Sequence, residues 1–81
     1  MDKFLARELI IEHLGYRDLI DLVIKERVYV IEVTSGLKLS LKGNRREQGI
    51  DLTVIEEGQP NRQILMTLFG DFAITTYHHY L

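Results

Sequence analysis

The stretch VYVIEVTSGLKLSLK, residues 28–42, indicates the fold class of this protein most clearly. Its first part, VYVIEV at 28–33, is β-branched and aromatic, which is typical of a strand. TSG at 34–36 predicts a turn. In LKLSLK at 37–42, leucines alternate with Lys and Ser, which predicts a strand with one buried and one wet face. Two antiparallel strands joined by a short turn are therefore expected.

Further strands are predicted downstream of this hairpin. IDLTV at 50–54 alternates in the same way and predicts a third strand. ILMTLF at 64–69 and FAITTY at 72–77 flank a Gly-Asp dipeptide, which predicts a two-residue hairpin turn between two more strands. In this interpretation the segment 72–77 is an edge strand. An alternative interpretation makes residues 61–69 a helix that ends at the glycine.

The segment before the strands predicts a helix. KFLARELIIEHL at 3–14 lies between Asp2, a candidate N-cap, and Gly15, a natural residue just past a helix end. On a helical wheel, Phe4 and Ile11 form a second apolar stripe beside the main one. A helix that is apolar on more than one side needs cover on more than one side, and in so short a chain that cover is expected from another subunit.

The next segment, YRDLIDLVIKE at 16–26, predicts a short second helix. The alternation of Ile20, Leu22 and Ile24 leaves a strand as the rival interpretation. The predicted fold is a single α+β domain over residues 1–81. In it the N-terminal helix and the short second helix pack on a four- to five-stranded antiparallel sheet or small barrel.

Composition excludes several classes of protein. With 46% hydrophobic residues, 27% charged residues and a net charge of −2, the chain is not disordered by composition. No uncharged apolar run approaches the roughly 18 residues of a membrane span, so no membrane association is expected. The absence of cysteine rules out disulfides and thiolate chemistry, and a cytoplasmic location is the expectation.

One segment, 38–46, is basic and contains Lys38, Lys42, Arg45 and Arg46. Such a segment is typical of contact with phosphates or with an acidic protein surface. The competing interpretation is a solvated strand face whose lysines pair across the sheet with Asp51 or Glu56. The sequence pI of about 5.9 favours the solvated face, as does the lack of aromatic residues within the segment.

No residue pattern predicts catalysis, a metal site or a cofactor. His78 and His79 are neighbours and would point to opposite faces of a strand, so they do not form a ligand pair. His13 lies on the arc of the first helix that is expected to be buried. Neither the HExxH spacing nor a Cys/His set is present. An enzyme is therefore not predicted.

A loose resemblance links this sequence to the bacterial Sm-like RNA chaperones. It rests on a leading helix followed by the stretch ERVYVIEVTSGLKLSLKG, residues 26–43, which resembles the entry to the barrel of that family. The resemblance implies a ring oligomer that binds single-stranded RNA. The position that would carry that family's RNA-binding motif reads Phe69-Gly70-Asp71-Phe72, which departs from the family pattern.

Taken together, these patterns favour a small non-catalytic protein-binding or regulatory module that forms a homo-oligomer. Phe4 and Ile11 are the candidate protein interface. The alternative is a small barrel that binds RNA or DNA through residues 38–46. No sequence feature identifies the protein partner.

Overall fold

The computed structural model describes residues 1–74 and shows one helix followed by a four-stranded sheet. All strand pairs are antiparallel and neighbours in sequence, in the order β1-β2-β3-β4. The predicted α+β class is thus confirmed. Within residues 1–74 the sheet is open, so of the two predicted alternatives, a sheet or a small barrel, the barrel is wrong. The elements are α1 Lys3–Ile24, β1 Val28–Thr34, β2 Leu37–Asn44, β3 Gly49–Glu56 and β4 Arg62–Thr67.

Asp2 caps the N-terminus of α1, and its carboxylate accepts a hydrogen bond from the Leu5 amide at 2.8 Å. The sequence predicts that the first helix ends at Gly15, but α1 continues past this residue. The predicted short second helix is therefore part of α1 and not a separate element. Gly15 has φ 72° and ψ 171°, a conformation that glycine adopts readily because it has no Cβ. This non-helical residue produces a kink in α1. The helix continues because no further breaker comes after it and because Leu19 and Leu22 extend its buried side.

The core lies between α1 and one face of the sheet. Burial alternates along β2 and β3, so every second side chain faces the helix. At Gly43, an added Cβ would overlap the carbonyl oxygen of Leu22, which shows how closely the helix backbone lies over β2. The buried apolar side chains are Ala6, Ile10, Leu19, Leu22, Val23, Ile31, Leu39, Leu41, Ile50, Leu52, Val54, Met66, Leu68, Phe72 and Ile74.

The chain after β4 differs from the prediction. Residues 72–74 do not form a strand, and residues 75–77 of the predicted strand lie outside the described part of the chain. Instead the chain turns back, with the Phe72 amide donating to Thr67 O and the Ile74 amide donating to Leu68 O. Phe72 is fully buried, so its apolar side chain serves the core rather than a fifth strand. The helix considered for 61–69 is likewise replaced by β4.

Candidate functional site

The face of the sheet that points away from α1 is uncovered by the residues that the structure describes. Its aliphatic side chains lie mainly towards the two edges, and its centre is polar. The exposed aliphatic residues are Val28 (62% exposed), Val30 (55%), Leu65 (40%) and Ile55 (37%). The polar centre contains Ser40, Lys42, Asp51 and Thr53, which line a shallow depression.

The edge formed by β1 is the most exposed part of the sheet, with five of its seven residues exposed. The Gly43 amide donates to Arg27 O at 2.9 Å, so this pair continues the β1–β2 ladder as a hydrogen-bonded pair. Hydrogen-bonded and non-hydrogen-bonded pairs alternate in antiparallel sheets. The backbone amides and carbonyls of Val28, Val30 and Glu32 therefore point outward, away from β2.

The opposite edge, β4, is partly closed. The Leu68 amide donates to Gln48 O, so by the same alternation the Thr67 amide points outward. That amide donates to the carboxylate of Asp71 at 2.9 Å. Asp71 is also held at 3.3 Å from the ammonium group of Lys3 on α1. Within residues 1–74, no such side chain covers the outward amides of β1.

The two predicted interface residues on α1 have different environments. Phe4 is 71% exposed and is the most exposed of the large apolar side chains described. Ile11 is partly buried and packs against the core cluster. The two residues thus do not form one exposed apolar stripe, although an interface at Phe4 remains a prediction.

The four basic residues of the segment 38–46 do not converge on one surface. The ammonium group of Lys38 lies 3.8 Å from the carboxylate of Glu32. Lys42 lies on the outer face, whereas Arg45 lines a cleft on the helix side of the sheet. Among residues 1–74, Lys42, Arg45 and Arg46 have no ion pair.

The cross-strand pairing expected for the lysines takes a different form. Lys38 pairs with Glu32 of β1 rather than with Glu56. Lys42 is the register neighbour of Asp51 on β3, but the Asp51 carboxylate accepts a hydrogen bond from the side-chain amide of Asn44 at 3.1 Å.

Sequence reasoning missed the cleft beside Arg45. It has a volume of about 230 Å³ and is bounded by the last turns of α1, the β2–β3 connection and the end of β4. Ile24 and Phe69 form its exposed apolar walls. The only sequence signal for it is the aromatic Phe69, which comes directly after the apolar strand segment at 64–68.

The histidines form no metal centre in the described part of the chain, where no group of three or more metal-ligating side chains occurs. His13 is exposed rather than buried, with Nδ1 2.9 Å from Leu9 O. His78 and His79 lie outside the described residues.

Comparisons with protein-family models, with curated proteins and with solved structures found no match. None of the described helices is both long enough and apolar enough to cross a membrane.

Proposed function

We propose that this domain is a non-catalytic protein-binding module that acts through the open edge of its sheet. The observation that supports this most directly is the outward direction of the backbone groups of Val28, Val30 and Glu32 on β1. An uncovered edge is a template for a further strand. The exposed side chains of Val28 and Val30 add apolar surface to that template.

In this mechanism a partner segment adds to β1 as an antiparallel or parallel strand. Main-chain hydrogen bonds supply affinity, and alternate side chains supply specificity. The partner's side chains on the outer face would contact Val28 and Val30, and those on the inner face would contact Tyr29. The β4 edge is the poorer site, since the Asp71 carboxylate already occupies the outward amide of Thr67.

Hydrogen exchange with a defined extended probe tests this proposal. The probe is a synthetic peptide of the chain's own residues 26–34, ERVYVIEVT, in excess over the protein. With the probe in excess, the Val28, Val30 and Glu32 amides are expected to exchange more slowly than free peptide amides, and exchange on β4 should be the same with and without the probe. A Val30→Lys variant should lose the protection, because a charge on an edge strand opposes strand addition.

Thr53→Lys is the matched control for that variant. Thr53 lies in the same cross-strand row and on the same face, but on the central strand β3. The Thr53→Lys variant adds the same charge away from the edge strand, so its β1 amides should keep their protection from exchange. Exchange of the three β1 amides at the rate of free peptide amides, at every protein and probe concentration, would refute the proposal.

The second candidate is binding of RNA or DNA, which the lack of ion pairs at Lys42, Arg45 and Arg46 within residues 1–74 favours. Contacts at these three residues would release counterions and give a log–log salt slope of about −2 on single-stranded RNA. A Lys42→Glu/Arg46→Glu variant should flatten that slope. Because Lys42 and Arg45 lie on opposite sides of the sheet, we expect only weak, non-specific binding.

A further inference from the structure

We infer that the strand added at β1 is β1 of a second copy of this chain, antiparallel about a two-fold axis at Val30. This joins two four-stranded sheets into one sheet of eight strands. The inference rests on the proposed function, because it names the partner for the same edge. Three features of β1 support it: the backbone register, an inner side-chain pair and the outer charges.

The backbone groups of β1 select one register. With Val30 on the axis, Val30 pairs with its own copy and Val28 pairs with Glu32 of the second copy. All three outward-facing residues then pair, and since each pair exchanges two bonds, about six hydrogen bonds form. A shift of the axis to Ile31 would pair Val28 with Thr34, which lies beyond the register irregularity after Glu32. A shift to Tyr29 would pair Glu32 with Glu26, which precedes β1 and has φ 50°.

The inner face supplies a favourable contact in this register. Tyr29 lies opposite Ile31 of the second copy in a non-hydrogen-bonded pair, where side chains are closest. Tyr29 is 38% exposed although its side chain lies on the core side of the sheet. Aromatic and β-branched residues are a favourable cross-strand pair. Because Ile31 is only 2% exposed within one copy, the gain from pairing is burial of the Tyr29 side chain of each copy.

The charges on the outer face are also complementary. Within one copy, Val28 is the register neighbour of Lys42. Glu32 therefore lies about 10 Å, or two strand spacings, from Lys42 of the second copy. Lys42 has no ion pair among residues 1–74, and its long side chain can cover that distance over Val28. The two Glu32 residues lie about 13 Å apart along the strand direction, so like charges do not meet.

Stacking two copies face to face is less favourable. The centre of the outer face is polar, and stacking would bury Lys42, Asp51 and their neighbours against identical groups. The edge arrangement leaves this polar centre in water. It also places both α1 helices on the same side of the joined sheet, because a two-fold axis normal to the sheet keeps its faces distinct.

Distances between spin labels test the arrangement, and the absence of cysteine from the sequence makes single labelling sites simple to introduce. Thr53 and Gln63 lie in the cross-strand row that contains Val30, on β3 and β4. In the dimer, the two labels at Thr53→Cys should lie about 24 Å apart, which is five strand spacings. The two labels at Gln63→Cys should lie about 34 Å apart, which is seven strand spacings. A dimer through the outer face or through Phe4 would not give this increment of two spacings.

Mass measurements complete the test. Light scattering at micromolar concentration should give about twice the chain mass of 9.5 kDa. Val30→Lys places two like charges at the axis, so it should weaken dimerisation at least tenfold. Thr53→Lys should leave the dimer intact.

A mass of one chain at all concentrations, or equal label distances at the two sites, would overturn the inference. If the protein is a monomer and the 26–34 peptide still protects the β1 amides, the edge function survives and only the second copy is wrong. If the peptide also gives no protection, the edge function fails as well.

Discussion

The carboxylate of Asp71 accepts a hydrogen bond from the backbone amide of Thr67 at 2.9 Å, and this contact makes the two edges of the sheet different. It occupies an amide of β4 that would otherwise point into solvent. Asp71 is positioned by α1, through the ion pair with Lys3 and through Arg7, whose Nε donates to Asp71 O at 3.1 Å. The outward amides of β1 have no equivalent cap within residues 1–74, and this difference supports β1 rather than β4 as the edge proposed for strand addition.

Replacement of Asp71 should destabilise the fold through this contact. Asp71→Ala leaves the Thr67 amide without its acceptor and is expected to cost about 1–3 kcal/mol in free energy of unfolding. Asp71→Asn keeps an oxygen acceptor and should cost less. Urea denaturation measures both, with Glu12→Gln on the exposed side of α1 as the control for loss of a carboxylate. Equal stability of Asp71→Ala and Glu12→Gln would contradict the role of the cap.

Replacement of Gly43 should disturb the packing of α1 on β2. A methyl group there overlaps the Leu22 carbonyl, which is backbone and cannot rotate away. We expect Gly43→Ala to lower the free energy of unfolding by about 1–3 kcal/mol in urea denaturation, as overpacked sites do. In the control Gly36→Ala, the nearest atom is Oε2 of the flexible Glu57 side chain at 3.2 Å, so a change below about 0.5 kcal/mol is expected.

Replacement of Gly15 tests whether the kink in α1 is required. Nothing lies within 4 Å of a Cβ added there, so any effect of Gly15→Ala comes from the backbone conformation. Since the combination of φ 72° and ψ 171° is adopted almost only by glycine, a loss of about 1–3 kcal/mol is expected in thermal or urea unfolding. A more stable Gly15→Ala variant would show that the domain accepts a straight helix.

Variants of Phe4 and Ile11 separate the interface predicted from the sequence from the one inferred at β1. Phe4→Glu should leave both stability and dimer mass unchanged, because Phe4 is 71% exposed and lies on α1 rather than on the strand edge. Ile11→Glu should destabilise the fold by about 1–3 kcal/mol, since Ile11 packs against the core cluster. Light scattering and urea denaturation check these outcomes, and a monomeric but stable Phe4→Glu variant would favour the helix interface.

Local sequence patterns were sufficient to predict the hairpin at 28–42 and the third strand. Apolar and polar side chains alternate there over several residue pairs, and a sheet with one buried face accounts for this alternation. The start of α1 was equally predictable, since Asp2 caps a helix through contacts three residues away. In each of these elements the deciding contacts lie within a few residues, or repeat regularly along the strand.

The end of α1, the path of the chain after β4 and the identity of the open edge depend instead on tertiary contacts. Gly15 could end a helix or bend it, and the choice depends on whether Leu19 and Leu22 can reach the core beyond it. Phe72 suits a strand equally well, but the space between α1 and the sheet takes its side chain. The cap at Thr67 needs Asp71, which is held by a lysine near the start of the chain. Such long-range contacts leave no periodic trace in the sequence, because they join residues whose separation is set by the path of the whole chain.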